Sequence, residues 1–298
     1  MYSWYKEHYT GDIKVVTVSD SETKTITYLT PMGELVRKYR KDHDGSWAPA
    51  NYLINENSQY QILKYIISNT HYEHDFSKVH QFLEETEGFG VCDLVIFRSP
   101  FGKIIHEYLG FENTVYELND NYSEIMTLMR AQEDLDLKLV CLAADGPAKI
   151  VIISDHADQN LISPLYYLNY CIPFYKRICD ILHQKGKYVS THLDGNFKGY
   201  FGIIKNAGFD YLDGCTPAPM FNYTARELAE AILPDVHCYL GVPASMFLGY
   251  DSVEDVCNYA VDIAKVFDNK VIINVGDILP PGGDIDLVIA IGEALRRL

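Results

Sequence analysis

From about residue 91 to the C-terminus, short apolar runs alternate with longer stretches whose apolar positions recur at helical spacing. The runs Val91–Phe97, Lys149–Ser154, Lys187–Thr191, Phe209–Leu212, Val236–Leu240 and Lys270–Val275 predict strands. The intervening segments Gly102–Leu109, Tyr122–Leu142, Pro164–Gln184, Phe197–Asn206, Thr224–Leu233, Val253–Val266 and Ile285–Leu298 predict helices. Strand-then-helix alternation implies a parallel sheet with helices outside it. The first ninety residues follow another pattern. Ile13–Val18 and Lys24–Leu29 flank the polar Ser19-Asp-Ser-Glu-Thr23 as a hairpin, Thr30-Pro-Met-Gly33 turns the chain, and helices are expected over Ser58–Ser68 and Asp75–Glu87. No repeat, low-complexity tract or linker isolates this region.

The expected fold is therefore α/β: one domain over 1–298, a TIM-type (β/α)8 barrel incomplete at its N-terminus. A hairpin and helical cap (1–90) precedes the βα units (91–298). Six βα units are recognisable where a closed ring needs eight. Either two N-terminal extended segments complete the ring, or the barrel is open and another chain covers the gap; the second case predicts a homo-oligomer.

Charge narrows the partners. With 41 acidic against 25 basic residues, the net charge of −16 repels phosphate backbones and anionic lipid. The N-terminus lacks the basic and apolar arrangement of a signal, and no apolar run reaches spanning length, so a cytoplasmic protein is expected. The seven cysteines form no CxxC pair and sit mostly in apolar runs, as inert thiols in a reducing compartment would. Cys215, just beyond a predicted strand, stands apart.

The ends of the predicted strands carry the candidate chemistry. Asp155-His-Ala-Asp158 follows one strand, His192-Leu-Asp-Gly195 the next, Asp213-Gly-Cys215 the next, and Gly276-Asp277 the last. In extended chain, residues two apart share a side, so His192 and Asp194 face one point at the C-terminal rim, where (β/α) proteins keep their sites. Each acid also has a purely structural reading, Asp155 or Asp158 as a helix cap near Ser163-Pro164, Asp213 and Asp277 as loop braces. Their coincidence on one rim favours a site at His192 and Asp194. Arg98, Asp155, Cys215, Met220, Phe221 and Tyr223 are the expected substrate-binding residues around them, the aromatics suiting an apolar ligand. His71-Tyr-Glu-His74 has ligand-like spacing but reads as a solvated turn, no Gly-rich nucleotide loop follows any strand, and Ser163 and Ser190 lack a nucleophile-elbow context.

Ile153-Ser-Asp-His-Ala-Asp-Gln-Asn-Leu-Ile-Ser-Pro164, His192-Leu-Asp-Gly-Asn196, Thr216-Pro-Ala-Pro219 and Gly276-Asp-Ile-Leu-Pro-Pro281 resemble the uroporphyrinogen decarboxylase superfamily, in particular its branch related to corrinoid-dependent methyltransferases. Thr30-Pro-Met-Gly-Glu-Leu35, Arg98-Ser-Pro100 and Tyr108-Leu-Gly-Phe-Glu-Asn113 extend the resemblance upstream. It implies a TIM-type barrel with its site at the C-terminal rim, and an N-terminal family segment missing before Met1. Zinc-dependent members carry His-x-Cys and a later Gly-Cys-Gly-Ile-like turn; this chain has His192-Leu-Asp194 and Gly276-Asp277-Ile278, with neither thiolate. The function implied is methyl transfer from a small O- or N-methylated donor to a corrinoid held by a separate protein. His192, Asp194 and Asp213 would be catalytic, and His192, Asp194, His156 and Asp277 would bind a metal, expected to be zinc with nitrogen and oxygen ligands. Porphyrinogen decarboxylation is the alternative, disfavoured because a polycarboxylate substrate asks for cations and Arg98 is the one evident rim cation. A degenerate, non-catalytic ligand-binding barrel is the third reading.

Overall fold

In the computed structural model, which describes residues 4–43, 45–249, 251–276 and 278–298, the chain forms two compact units. One comprises Met1–Cys92 and Arg98–Ala148, the other Asp93–Phe97 and Lys149–Leu298.

The first unit contains strands β1 (Tyr5–Tyr9), β2 (Lys14–Ser19), β3 (Thr23–Thr30), β4 (Gly33–Lys41), β5 (Trp47–Pro49) and β6 (Thr70–His74). β2 to β5 make an antiparallel sheet in sequence order, and β1 pairs with β6 as a separate ribbon. The expected hairpin is present. Its turn is fixed by Asp20, whose carboxylate accepts the backbone N–H groups of Glu22 at 2.8 Å and Thr23 at 2.7 Å. His71-Tyr-Glu-His74 is strand β6, in register with β1 (His8 opposite His71, Lys6 opposite Glu73), and not a turn. Its polar residues are tolerated because the ribbon is largely exposed. Helices run over Ser58–Ser68, Ser77–Glu85, Phe111–Asp120 and Tyr122–Asp145. The last of these carries Asp136, fully buried, which accepts a 2.6 Å hydrogen bond from Lys103 Nζ and a 2.7 Å bond from Gln132. Burial pushes the Asp136 carboxyl up to about 7 against the pull of Lys103 and Gln132.

The second unit is built on β7 (Asp93–Ile96), β8 (Ile150–Ile153), β9 (Tyr188–His192), β10 (Tyr211–Cys215), β11 (His237–Pro243) and β12 (Val271–Gly276), six parallel strands lying side by side in sequence order. All six were expected from their apolar runs. No pairing between β12 and β7 is seen among the described residues, nor any strand from the N-terminal region joined to this sheet, so of the two expected cases the sheet takes the open one. One face is buried almost completely, through Leu94, Ile96, Val151, Ile153, Val189, Leu212, Leu240 and Val242. In β8 the second face is covered too, through Ile152, and burial on two sides reads as a continuous apolar run. Pro164–Gln184 is helical throughout, with a π-helical turn at Tyr167–Cys171, and starts where Ser163 Oγ accepts the N–H of Tyr166 with Pro164 in the first turn. The cap expected of Asp155 or Asp158 is thus supplied by Ser163. Thr224 and Glu227 form a capping box for Ala225–Ile232. Helices Val253–Val266 and Ile285–Leu295 pack through Val256, Ala260, Leu287 and Ile291 beside Val242.

One expected helix is absent. Phe197–Asn206 forms two 3-10 turns, Lys198–Tyr200 and Ile204–Ala207. Gly199 and Gly202 each weaken a helix by roughly 1 kcal/mol relative to Ala. The Gly199 N–H is also drawn off to Gln159 Oε1 at 2.6 Å. No helix among the described residues is long and apolar enough to cross a membrane.

Candidate functional site

β9 and β10 bring the central residues together by register. His192 lies directly opposite Asp213, and its Nδ1 is 2.7 Å from Asp213 Oδ2, both side chains about four-fifths buried. An ionised carboxylate only accepts, so in a neutral ring the proton on Nδ1 serves Asp213 and the lone pair lies on Nε2. Asp213 was expected at a strand end, but β10 runs on to Cys215 and holds it inside the strand. The ladder shifts register between Leu212 and Cys215. Gly214 takes up that bulge at φ +76°, and a Cβ there would lie 2.4 Å from His192 Cε1. Only a residue without a side chain lets the imidazole rest over the strand in this way.

His156 and Asp194 complete the cluster. The His156 and His192 rings meet edge to face, with centroids 4.8 Å apart and planes at 86°. One donor atom from each of His156, His192 and Asp194 lies within 4.8 Å of the other two, and all three residues are half-buried. Two imidazoles and one carboxylate make a donor set suited to a divalent first-row ion, and Asp213 sits behind His192 as the carboxylate that orients such a ligand usually does. Among the described residues this is the one group of its kind. Asp277 lies outside the described residues.

The connecting loops are locked to one another. Asp158, after β8, accepts the backbone N–H groups of Asn160 at 2.7 Å and Asn196 at 2.9 Å. The side chain of Asn196, after β9, accepts the N–H of Asn222, after β10, at 3.1 Å. Gly195 stands at φ +122° with its missing Cβ directed 2.7 Å from Asp158 Oδ2. Asp158 and Asn196 therefore hold His156 and Asp194 at a fixed spacing. Neither was expected to be functional, although both lie in the quoted motifs, and their signal was a carboxylate and an amide flanking the two histidines.

Other expected site residues have different surroundings. Asp155 is fully buried and accepts a hydrogen bond from the Tyr175 hydroxyl. Adjacent extended residues point to opposite sides, so where His156 joins the cluster Asp155 turns into the core. Its charge, with burial as the larger cause, raises the Tyr175 pKa well above the usual tyrosine range. Cys215 is also fully buried, hydrogen-bonded to Cys238, and burial holds its thiol well above the ordinary cysteine value, so it is no thiolate. Tyr223 is buried against Phe197, ring centroids 4.8 Å apart. Phe221 is half-buried and Met220 exposed, its sulfur accepting the N–H of Ala244 at 3.3 Å. Arg98 belongs to the first unit, where its Nε lies 3.8 Å from Glu107.

No curated protein matches the chain. Solved structures similar to it include a D-psicose 3-epimerase (13% identical, TM-score 0.39, covering 76% of this chain and 94% of that one). Others are a putative fructose-1,6-biphosphate aldolase from Coccidioides immitis (11%, TM-score 0.30, 74% and 93%) and the fructuronate-tagaturonate epimerase UxaE from Cohnella laeviribosi (7%, TM-score 0.31, 89% and 73%). A family model described as Uroporphyrinogen decarboxylase (URO-D) matches residues 101–298, well over half the chain and every strand that carries a member of the His/Asp cluster. The chain belongs to the uroporphyrinogen decarboxylase family.

Proposed function

We propose that this protein is a metal-dependent methyltransferase that moves a methyl group from a small O- or N-methylated donor to a corrinoid carried by a separate protein. The observation that carries the reading is the convergence of His156, His192 and Asp194 within 4.8 Å, with Asp213 behind His192. An alkoxide or amide is a poor leaving group, so the site must relieve the charge that develops on the donor atom as the methyl departs. A zinc ion held by these three side chains would supply a Lewis acid for that purpose. The chain's own part is to present the ligands. Asp213 fixes the His192 tautomer with Nε2 as donor atom, Gly214 gives the ring room, and the Asp158–Asn196 clamp sets the loops that carry His156 and Asp194. The methyl group passes to the reduced corrinoid, and the donor leaves as an alcohol or amine after taking up one proton.

Decarboxylation of a porphyrinogen would ask the same pocket to neutralise many carboxylates. Asp194 and Asp213 stand at the cluster instead, with Asp158 bracing the adjoining loops, and Lys198 on the neighbouring loop is held by Glu227 at 2.6 Å. The deciding experiment measures metal in the purified full chain before and after loading with zinc. It then follows methylation of a reduced corrinoid protein by its visible spectrum over a panel of methyl ethers and methylamines. Binding of about one zinc per chain, with methylation lost in His192→Ala, is expected. Failure to retain zinc would overturn the reading, and turnover of a porphyrinogen would replace it with decarboxylation. Zinc binding without turnover of any donor would leave a ligand-binding barrel.

A further inference from the structure

β2 is the outer strand of the antiparallel sheet, and no described strand pairs with its free edge. All six of its residues are exposed, with Val15, Val16 and Val18 at 40%, 45% and 67%. The ladder to β3 is continuous and free of bulges, and the strand contains no proline. Edges of this kind are normally bent, charged or covered, because a flat apolar edge is a template for another strand.

The hydrogen-bonding phase of that edge follows from the hairpin. Asp20 N–H donates to Thr23 O at 2.9 Å, which makes Asp20 and Thr23 a bonded pair. Bonded and non-bonded pairs alternate along an antiparallel ladder, so Val18/Thr25, Val16/Thr27 and Lys14/Leu29 are bonded as well. The backbone N–H and C=O groups of Val15, Thr17 and Ser19 consequently point away from β3. We propose that this edge pairs antiparallel with the same edge of a second copy of the chain, about a two-fold axis at Thr17. In that register Thr17 faces its own counterpart and Val15 faces Ser19 of the second copy, so all three outward residues exchange hydrogen bonds. Val16 then faces Val18, and Lys14 faces Asp20. One side of the new ladder is an apolar centre of four valines closed at each end by an opposite-charge pair. Centring the axis on Val15 would call on Ile13, whose N–H already lies 3.4 Å from Thr10 O. Centring it on Ser19 would run into the turn. The occupant is a second copy because the edge is its own complement in backbone phase, apolar pattern and charge, which a chain of net charge −16 otherwise offers sparingly.

The test uses the full chain. Sedimentation or light scattering at concentrations up to about 100 μM, suited to a contact of this modest size, should give a mass approaching twice 33.9 kDa. Thr17→Pro removes an outward N–H and none that serves β3, so it should return the protein to a monomer without unfolding it. Thr17→Cys should give a disulfide-linked dimer on mild oxidation, well above the level of the unsubstituted chain, because residues facing each other as a bonded pair have Cα atoms about 5.5 Å apart. Cysteine in place of Val15 faces Ser19 and should not cross-link. A monomeric unsubstituted chain overturns the proposal, as does a dimer indifferent to Thr17→Pro or an absence of excess cross-linking through Thr17→Cys. The last readout stands even if the proline variant fails to fold.

Discussion

Replacing Gly214 by Ala perturbs the site without touching any donor atom. The backbone there is left-handed at φ +76°, and the new methyl group would lie 2.4 Å from Cε1 and 2.6 Å from Nδ1 of His192. Left-handed geometry costs a residue with a Cβ about 1–2 kcal/mol. The ring, tethered to Asp213 at 2.7 Å, cannot swing aside without lengthening that charge-assisted bond, worth about 1.5–3 kcal/mol in a pair this sheltered from solvent. Partial relaxation of β10 at its bulge returns some of this, so a net loss of about 2–4 kcal/mol is expected, or about 3–6 °C in Tm for a chain of this size. If His192 is a metal ligand, zinc affinity should fall about 10–100-fold as well, the usual cost of disturbing the residue behind a ligand. Urea unfolding reports the first quantity and competition against a chromophoric chelator the second. Asp213→Asn is the control: it weakens the bond without straining the backbone, so it should lower zinc affinity by a similar factor with a smaller loss of stability. Gly214→Ala with native stability and native affinity would show that the imidazole does not lie over this glycine, and the account of the site would fail with it.

His192→Ala should abolish zinc retention and cost about 1.5–3 kcal/mol of stability through the lost bond to the sheltered Asp213, as read by metal analysis and thermal unfolding together; a variant that keeps its zinc contradicts the ligand assignment. Tyr175→Phe takes from the buried Asp155 one of its donors, and unfolding should show a loss of about 1–3 kcal/mol. Asp136→Asn tests the buried pair in the first unit. Because burial raises the Asp136 carboxyl to about 7, the folded state holds its proton where the unfolded state has lost it. This group's contribution is full below about pH 4 and is lost as pH rises to about 7, by at most about 1.4 kcal/mol per pH unit. The difference in stability between the unsubstituted chain and Asp136→Asn should therefore shrink across that window, and a difference that does not vary with pH refutes the shift.

The parallel strands were legible because one deeply buried face and a partly covered second one leave an apolar signature, unbroken in Ile150-Val-Ile-Ile153. β4 was not. Four of its nine residues are Arg or Lys, mostly at exposed positions of an interior strand, and they are accommodated partly by contacts no local pattern announces, such as Lys41 Nζ lying 6.0 Å over the Trp47 ring. β1 and β6 pair across more than sixty residues, so neither polar segment identifies the other. Within the site, the separation of two between His192 and Asp194 was sufficient to put both at one point, since Leu193 between them turns fully into the core. The same alternation argues against grouping Asp155 with His156, and the buried Tyr175–Asp155 bond shows the consequence. What the sequence concealed was the geometry by which Asp213 reaches His192. Its place beside His192 depends on β10 running three residues past its apolar stretch and on the bulge at Gly214, both consequences of register with β9. A carboxylate expected at a strand end among the catalytic residues thus lies behind the imidazole. The cluster thereby becomes a set of three donors with a carboxylate behind one of them, an arrangement that could hold an ion without the thiolates this chain lacks at the corresponding motif.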